Sequence, residues 1–129
     1  GIEGDTAGSL NAVYDTYNTI YKERNSDFAT VKRLLNRISK LFAVSDEIAS
    51  LFGSVVHFYP LFVVLHSRFK KLSDKTIIHR LKLFTAEYAK KKSKSRLVEG
   101  YRVGASYRTR SKQSREKRVD ALASWIIQK

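Results

Sequence analysis

The side chains whose types invite a search for chemistry are three histidines, His57, His66 and His79, and two arginines three residues apart, Arg115 and Arg118. A metal site or an acid–base pair needs histidine beside carboxylates or thiols at ligand spacing. No H-E-x-x-H occurs and the chain has no cysteine. His66, within an apolar helical stretch, reads as a histidine at the edge of a core. G-x-S-x-G, the P-loop and G-x-G-x-x-G are all missing. The carboxylates are scattered, and the adjacent pair Asp46–Glu47 suits the positive end of a helix better than proton transfer. The sequence therefore predicts no catalytic residue, no metal ligand and no cofactor. What remains is cation chemistry. Arginine binds phosphate oxygens through two parallel hydrogen bonds, and Arg115 and Arg118 follow Lys112 into the first turns of the last predicted helix.

The charge distribution extends that reading. The net charge is +13, and the window from Lys90 to Arg118 holds twelve Lys and Arg against Glu99 and Glu116, which places +10 of it in one stretch. A window of one sign attracts polyanions, because bound phosphates release condensed counterions. The candidate contacts are Lys90, Lys91, Lys92, Lys94, Arg96, Arg102, Arg108, Thr109, Arg110, Lys112, Arg115 and Arg118. The partner is DNA or another nucleic acid, with an acidic protein or an anionic membrane as alternatives. A membrane is the weakest, because the run lacks interleaved Trp and Phe for insertion. Two plainer readings stand beside these. The run is a solvated, partly disordered linker, or the arginines pair with acids such as Asp46 or Glu99 and pin the last helix.

The elements that must position these residues are helical. Leu10, Val13, Tyr14, Tyr17, Ile20 and Tyr21 predict an amphipathic helix from about Ser9 to Glu23. Its tyrosines suit a core edge better than a platform for stacked bases. Ser26 and Asp27 open a second helix, with the stripe Phe28, Val31, Leu34, Leu35, Ile38, Leu41 and Phe42. The short connection makes these two an antiparallel hairpin. Ser45 caps a short helix over Asp46 to Leu51, which Gly53 ends. Val55 to Tyr59 is briefly extended, and Pro60 opens a helix reaching about Lys71. Ser73–Asp74 starts the next, with Ile77, Ile78, Leu81, Phe84 and Tyr88 inward. Arg96 to Tyr101 adds one or two turns, after which Gly100 and Gly104 loosen the chain. Ser111 or Ser114 caps the final helix, with Val119, Leu122, Ala123 and Ile126 on its apolar face.

The fold class is thus all-α: a compact bundle of five to seven helices with no sheet. Residues 1–8, Gly-rich and polar, read as a disordered tail, a processed end or the start of an excised fragment, and 9–129 as one helical domain with a basic segment at 90–118. The apolar run Val55 to Leu65 is too short to span a bilayer. The lack of cysteine fits a cytoplasmic protein.

His57-Phe58-Tyr59-Pro60 matches the His-x-x-Pro tetrad of some HNH-type nuclease signatures, but no asparagine follows Asn36 to complete them, so the tetrad reads as a turn into a helix. The stretch SVVHFYPLFVVLHSRFKKLSDKTIIHRLKLF, followed by Ser106-Tyr107-Arg108-Thr109 and Arg115-Glu116-Lys117-Arg118, resembles the helical region of GmrSD-type restriction proteins, over about Ser26 to Ile127. Those proteins carry a ParB/sulfiredoxin-like nuclease fold before that region and often an HNH domain after it. The resemblance implies a non-catalytic helical module of a DNA-targeting, antiviral defence nuclease, which packs on an N-terminal nuclease-fold domain and supplies Thr109, Arg115 and Arg118 to DNA or nucleotide. The competing expectations are a small nucleic-acid-coating protein, like the coats of filamentous viruses, and a protein-interaction module for an acidic partner.

Overall fold

Serine hydroxyls open four of the helices. The Ser45 Oγ accepts from the Ile48 N–H at 3.2 Å, Ser73 from Thr76 at 3.2 Å, Ser95 from Val98 at 3.3 Å and Ser111 from Ser114 at 3.1 Å. Each satisfies one of the N–H groups that a helix start leaves without a partner. The computed structural model describes residues 28–67 and 72–127. Over them the chain forms six α-helices and no strand: α1 (Phe28–Val44), α2 (Asp46–Phe52), α3 (Val55–Ser67), α4 (Asp74–Ala89), α5 (Arg96–Ser106) and α6 (Lys112–Ile127). The all-α bundle expected from the periodicity is what forms. The tail at 1–8, the helix expected over Ser9 to Glu23, its hairpin and residues 68–71 lie outside the described residues.

Two expectations change. Val55 to Tyr59 is helical, so Pro60 sits in the sixth position of α3 rather than in a first turn. A proline there forgoes one N–H bond and strains the preceding turn. Burial offsets the loss: Phe58, Leu61, Phe62, Val64 and Leu65 are all at 1% exposure or less. Helix α5 also continues past Tyr101 to Ser106, with both Gly100 and Gly104 inside it.

The core gathers around α3 and the rings of α4 to α6. The α1 stripe Val31, Leu34, Leu35, Ile38, Leu41 and Phe42 is buried as its spacing predicts. Phe84 of α4 meets Tyr101 of α5 edge-to-face at 4.9 Å, Trp125 of α6 at 5.7 Å and Phe52 of α2 at 6.0 Å. Such pairs add to plain area burial. The Trp125 indole N–H is satisfied by the Arg80 carbonyl at 2.8 Å. No single helix among the described residues is long and apolar enough to cross a membrane. The α2–α3 pair reaches that hydropathy only together, across a 107° bend, and supplies core residues.

Helices α5 and α6 make the most intimate pair, and Gly104 is why. A Cβ there would stand 2.9 Å from the Ser114 carbonyl oxygen and 3.1 Å from the Arg118 Cγ. At Gly100 a Cβ would meet nothing within 4 Å. Gly104→Ala is expected to destabilise the domain by about 1–3 kcal/mol through overpacking, whereas Gly100→Ala should stabilise it by about 0.5–1 kcal/mol by removing a helix-interior glycine. Urea unfolding followed by circular dichroism measures both. Equal effects at the two positions would contradict the close approach at Gly104.

Candidate nucleic-acid interface

The basic window consists of two loops joined by α5. The first, Lys90 to Ser95, is built from inside by two carboxylates. Glu87 accepts from the Ser93 Oγ at 2.7 Å and from the Lys90 Nζ at 2.6 Å; Glu99 accepts from the Ser93 N–H at 2.9 Å and from the Arg102 Nε at 3.2 Å. These bonds lower both carboxyl pKa values, through Lys90 and then Ser93 for Glu87, and chiefly through the Ser93 N–H for Glu99. Ser93 is thereby drawn in to 6% exposure. Lys90, Lys91, Lys92 and Lys94 are left exposed, as is Arg96 at the start of α5. Arg102 departs from the expected role. Its guanidinium donates to the Tyr88 and Lys90 carbonyls at 3.1 and 3.0 Å and lies 4.6 Å above the Tyr88 ring. It closes the carbonyl end of α4, where a cation also meets the negative pole of the helix.

The second loop follows α5. Arg118 is the largest correction to the sequence reading. It is 2% exposed, and its guanidinium donates to the Gly104 carbonyl at 2.7 Å and the Thr109 carbonyl at 3.0 Å. It pins the last helix, but through backbone carbonyls, not through Asp46 or Glu99. Burial lowers its pKa from the ordinary arginine value. Thr109 is likewise engaged through its backbone and half-buried, and Arg115, half-buried, lies 5.7 Å from the centre of the Tyr59 ring. The Ser111 N–H closes a turn on the Arg108 carbonyl at 2.8 Å, and Arg108 takes φ 45°, a left-handed conformation uncommon outside glycine. Arg108, Arg110 and Lys112 remain exposed, as does Lys117, which the sequence reading had not singled out.

Eight of the proposed cations therefore face solvent, five at the start of α5 and three beyond its end. Eleven residues of α-helix at about 1.5 Å each separate the groups by roughly 16 Å. The first turn of α6 contains no acid. Arg102 and Arg118 belong to the scaffold that holds the two groups apart.

The histidines do not converge. His57 is enclosed by rings: its Nδ1 is 2.8 Å from the Tyr101 hydroxyl, and its imidazole stacks on Tyr101 at 5.6 Å and meets Tyr88 at 5.4 Å. His66 stacks on Phe62 beside a groove of about 330 Å³ between α1 and α3, whereas His79 is exposed on α4. A second groove, of about 640 Å³ between α2 and α4, carries Asp46 and Glu47 on its wall and reaches Tyr88 and Ala89, where the first basic loop begins. Among the described residues, no three His, Cys, Asp or Glu side chains are placed to share a metal ion. Comparison with protein-family models, with curated proteins and with solved structures returns no match.

Two outcomes test this geometry. Arg118→Ala strands one buried and one half-buried carbonyl and should cost about 2–4 kcal/mol of stability, whereas Arg110→Ala should stay within about 0.5 kcal/mol of the parent; urea unfolding compares them. Burial, and then the Arg118 charge, lowers the His57 pKa to about 4. An unfolded chain takes up that proton near pH 6.5. Stability is thus full above about pH 6.5 and falls as pH drops from there through 4, because the unfolded state binds the proton first. Between about pH 7 and pH 5 the loss should be roughly 1–2 kcal/mol, and His57→Gln should remove that slope.

Proposed function

We propose that the chain is a non-catalytic helical module that offers a basic surface to nucleic acid, DNA in the first place, within a cytoplasmic, restriction-associated defence nuclease. The observation that carries the nucleic-acid part is the sorting of charge in the 90–118 window. Glu87 and Glu99 are spent on shaping the first loop, Arg102 and Arg118 on helix ends, and eight cations at the two ends of α5 are left facing solvent. Such a surface meets phosphates by counterion release and needs no pocket. The nuclease context rests on the resemblance of the α3–α4 stretch and the following basic loop to the helical region of GmrSD-type proteins. Arg118 supports packing in that reading, and an N-terminal nuclease-fold domain would supply the chemistry.

Anisotropy titration of a labelled DNA duplex across a salt series tests the reading. The affinity should fall with salt by about 0.9 log units per log unit for each phosphate neutralised. The double reversals Lys91→Glu/Lys92→Glu and Arg110→Glu/Lys112→Glu should each reduce the slope by about two and leave thermal melting unchanged. Parent-like binding by both double variants at low salt would refute the interface. Continuous filaments on DNA by electron microscopy would instead identify a coat protein, and binding only to acidic proteins an interaction module.

A further inference from the structure

One exposed aromatic stands inside the cationic surface. Tyr107 is 64% exposed, among the highest of any large apolar side chain in the described residues, and it opens the second basic loop. Its backbone is fixed on both sides: its N–H donates to the Val103 carbonyl at 3.2 Å, and its carbonyl accepts from the Ser114 Oγ at 2.7 Å. The next residues are held by the Ser111 turn onto Arg108 and by Arg118 on the Thr109 carbonyl. The ring is therefore presented from a braced loop, with the Arg108 guanidinium 5.5 Å from its centre and exposed Arg110 and Lys112 following it.

Helix α5 supplies a path to that ring. Arg96, Gly100 and Val103 recur at helical spacing and so share one face, and Tyr107 is the extended residue that ends the helix, its N–H on the Val103 carbonyl of that face. Arg96 and Val103 on the face and Tyr107 just beyond it are exposed, and Gly100 leaves open space where a side chain would stand. The face is roughly 16 Å long. Cations flank it at both ends.

Resting on the nucleic-acid reading above, we infer that this surface is built for a single strand, which runs along the outer face of α5 with its phosphates on the two basic loops and an unstacked base on the Tyr107 ring. A base within a duplex is already stacked on its neighbours and presents only its edges in the grooves. An unpaired base offers a π-face that any aromatic ring can meet, with little regard to sequence. A cation beside the same ring strengthens the platform. Tyr107 differs from Tyr59, Tyr88 and Tyr101 in exposure: Tyr59 and Tyr88 are half-buried and Tyr101 is fully buried, stacked on His57.

The experiment is an anisotropy titration of oligo(dT), oligo(rU) and a DNA duplex of equal length against the full chain and its variants. Tyr107→Ala should weaken oligo(dT) binding about ten-fold, within the range that one base–aromatic stack contributes. It should change duplex binding less than about two-fold on the same grounds, with no change in melting because the ring is exposed. Tyr107→Phe should restore the parent affinity, and Tyr107→Trp should show emission quenched by oligo(dT) and not by duplex. Equal binding of oligo(dT) and oligo(rU) makes the stack indifferent to the sugar; a large preference identifies which strand the surface takes. If Tyr107→Ala binds oligo(dT) like the parent while Arg110→Glu/Lys112→Glu does not, the stacking site is refuted and the basic interface stands. If the parent binds neither single strand nor duplex at low salt, the nucleic-acid reading itself fails.

Discussion

The bond from the Arg118 guanidinium to the carbonyls of Gly104 and Thr109 is the constraint on which the second half of the molecule depends. A guanidinium at 2% exposure is costly to desolvate, and among the described residues no carboxylate bonds to it. It is tolerated because backbone carbonyls at a helix end are themselves short of donors and sit at the negative pole of the helix. The same bond fixes three things at once. It holds α6 against α5 where Gly104 lets the backbones approach, it closes the carbonyl end of α5, and it sets the course of the loop through Thr109. Remove the cation and a buried and a half-buried oxygen lose their partner, so the loss is greater than the net worth of two ordinary hydrogen bonds.

Two other arginines solve the same problem. Arg102 donates to the Tyr88 and Lys90 carbonyls at the end of α4, and Arg37 of α1 donates to the Leu72 carbonyl at 2.6 Å and to the Asp74 carboxylate at 2.6 Å, where α4 begins. In each case one guanidinium joins at least two acceptors on a neighbouring helix end or the loop beside it. The chain thus uses part of its cationic excess as mortar between helices. That division of labour explains how a strongly basic chain closes a core with few ion pairs among the described residues.

The apolar stripes were legible in the sequence because burial and periodicity report the same thing. All six described stripe positions of α1 are buried, and three of the serine caps fall where hydroxyl and helical spacing coincide. Pro60, Gly100 and Gly104 were misread for one reason. Their local preferences argue against a helix interior, and tertiary packing overrode them. Charge misled differently. A run of cations does not say which of them turn inward, yet a signal for Arg118 exists. The buried face of α6 is Arg118, Ala121, Leu122, Trp125 and Ile126, with Ala123 beside it and Val119 only half-buried. Position 118 lies three, four and seven residues before apolar members of that face, so the spacing that identified the stripe also includes the arginine.

The cations that remain outward gain meaning from what has been withdrawn around them. A loop carrying four lysines between Lys90 and Ser95 would relax into solvent if repulsion alone governed it. Glu87 and Glu99 prevent this by holding the Ser93 backbone and hydroxyl, not by matching each lysine. Only Lys90 is paired with Glu87, at the exposed edge where such a bridge is weak. Past α5, hydrogen bonds from Ser111, Ser114 and Arg118 brace the second loop, and none of them engages an outward charge. Both loops are therefore ordered mainly by interactions other than ion pairs to their outward cations, the Lys90–Glu87 bridge excepted. A fold that needed only solubility would gain from acids interspersed among those lysines and arginines. Shape fixed by one set of groups and charge presented by another is the arrangement that lets a phosphate chain bind without first reorganising the surface it meets.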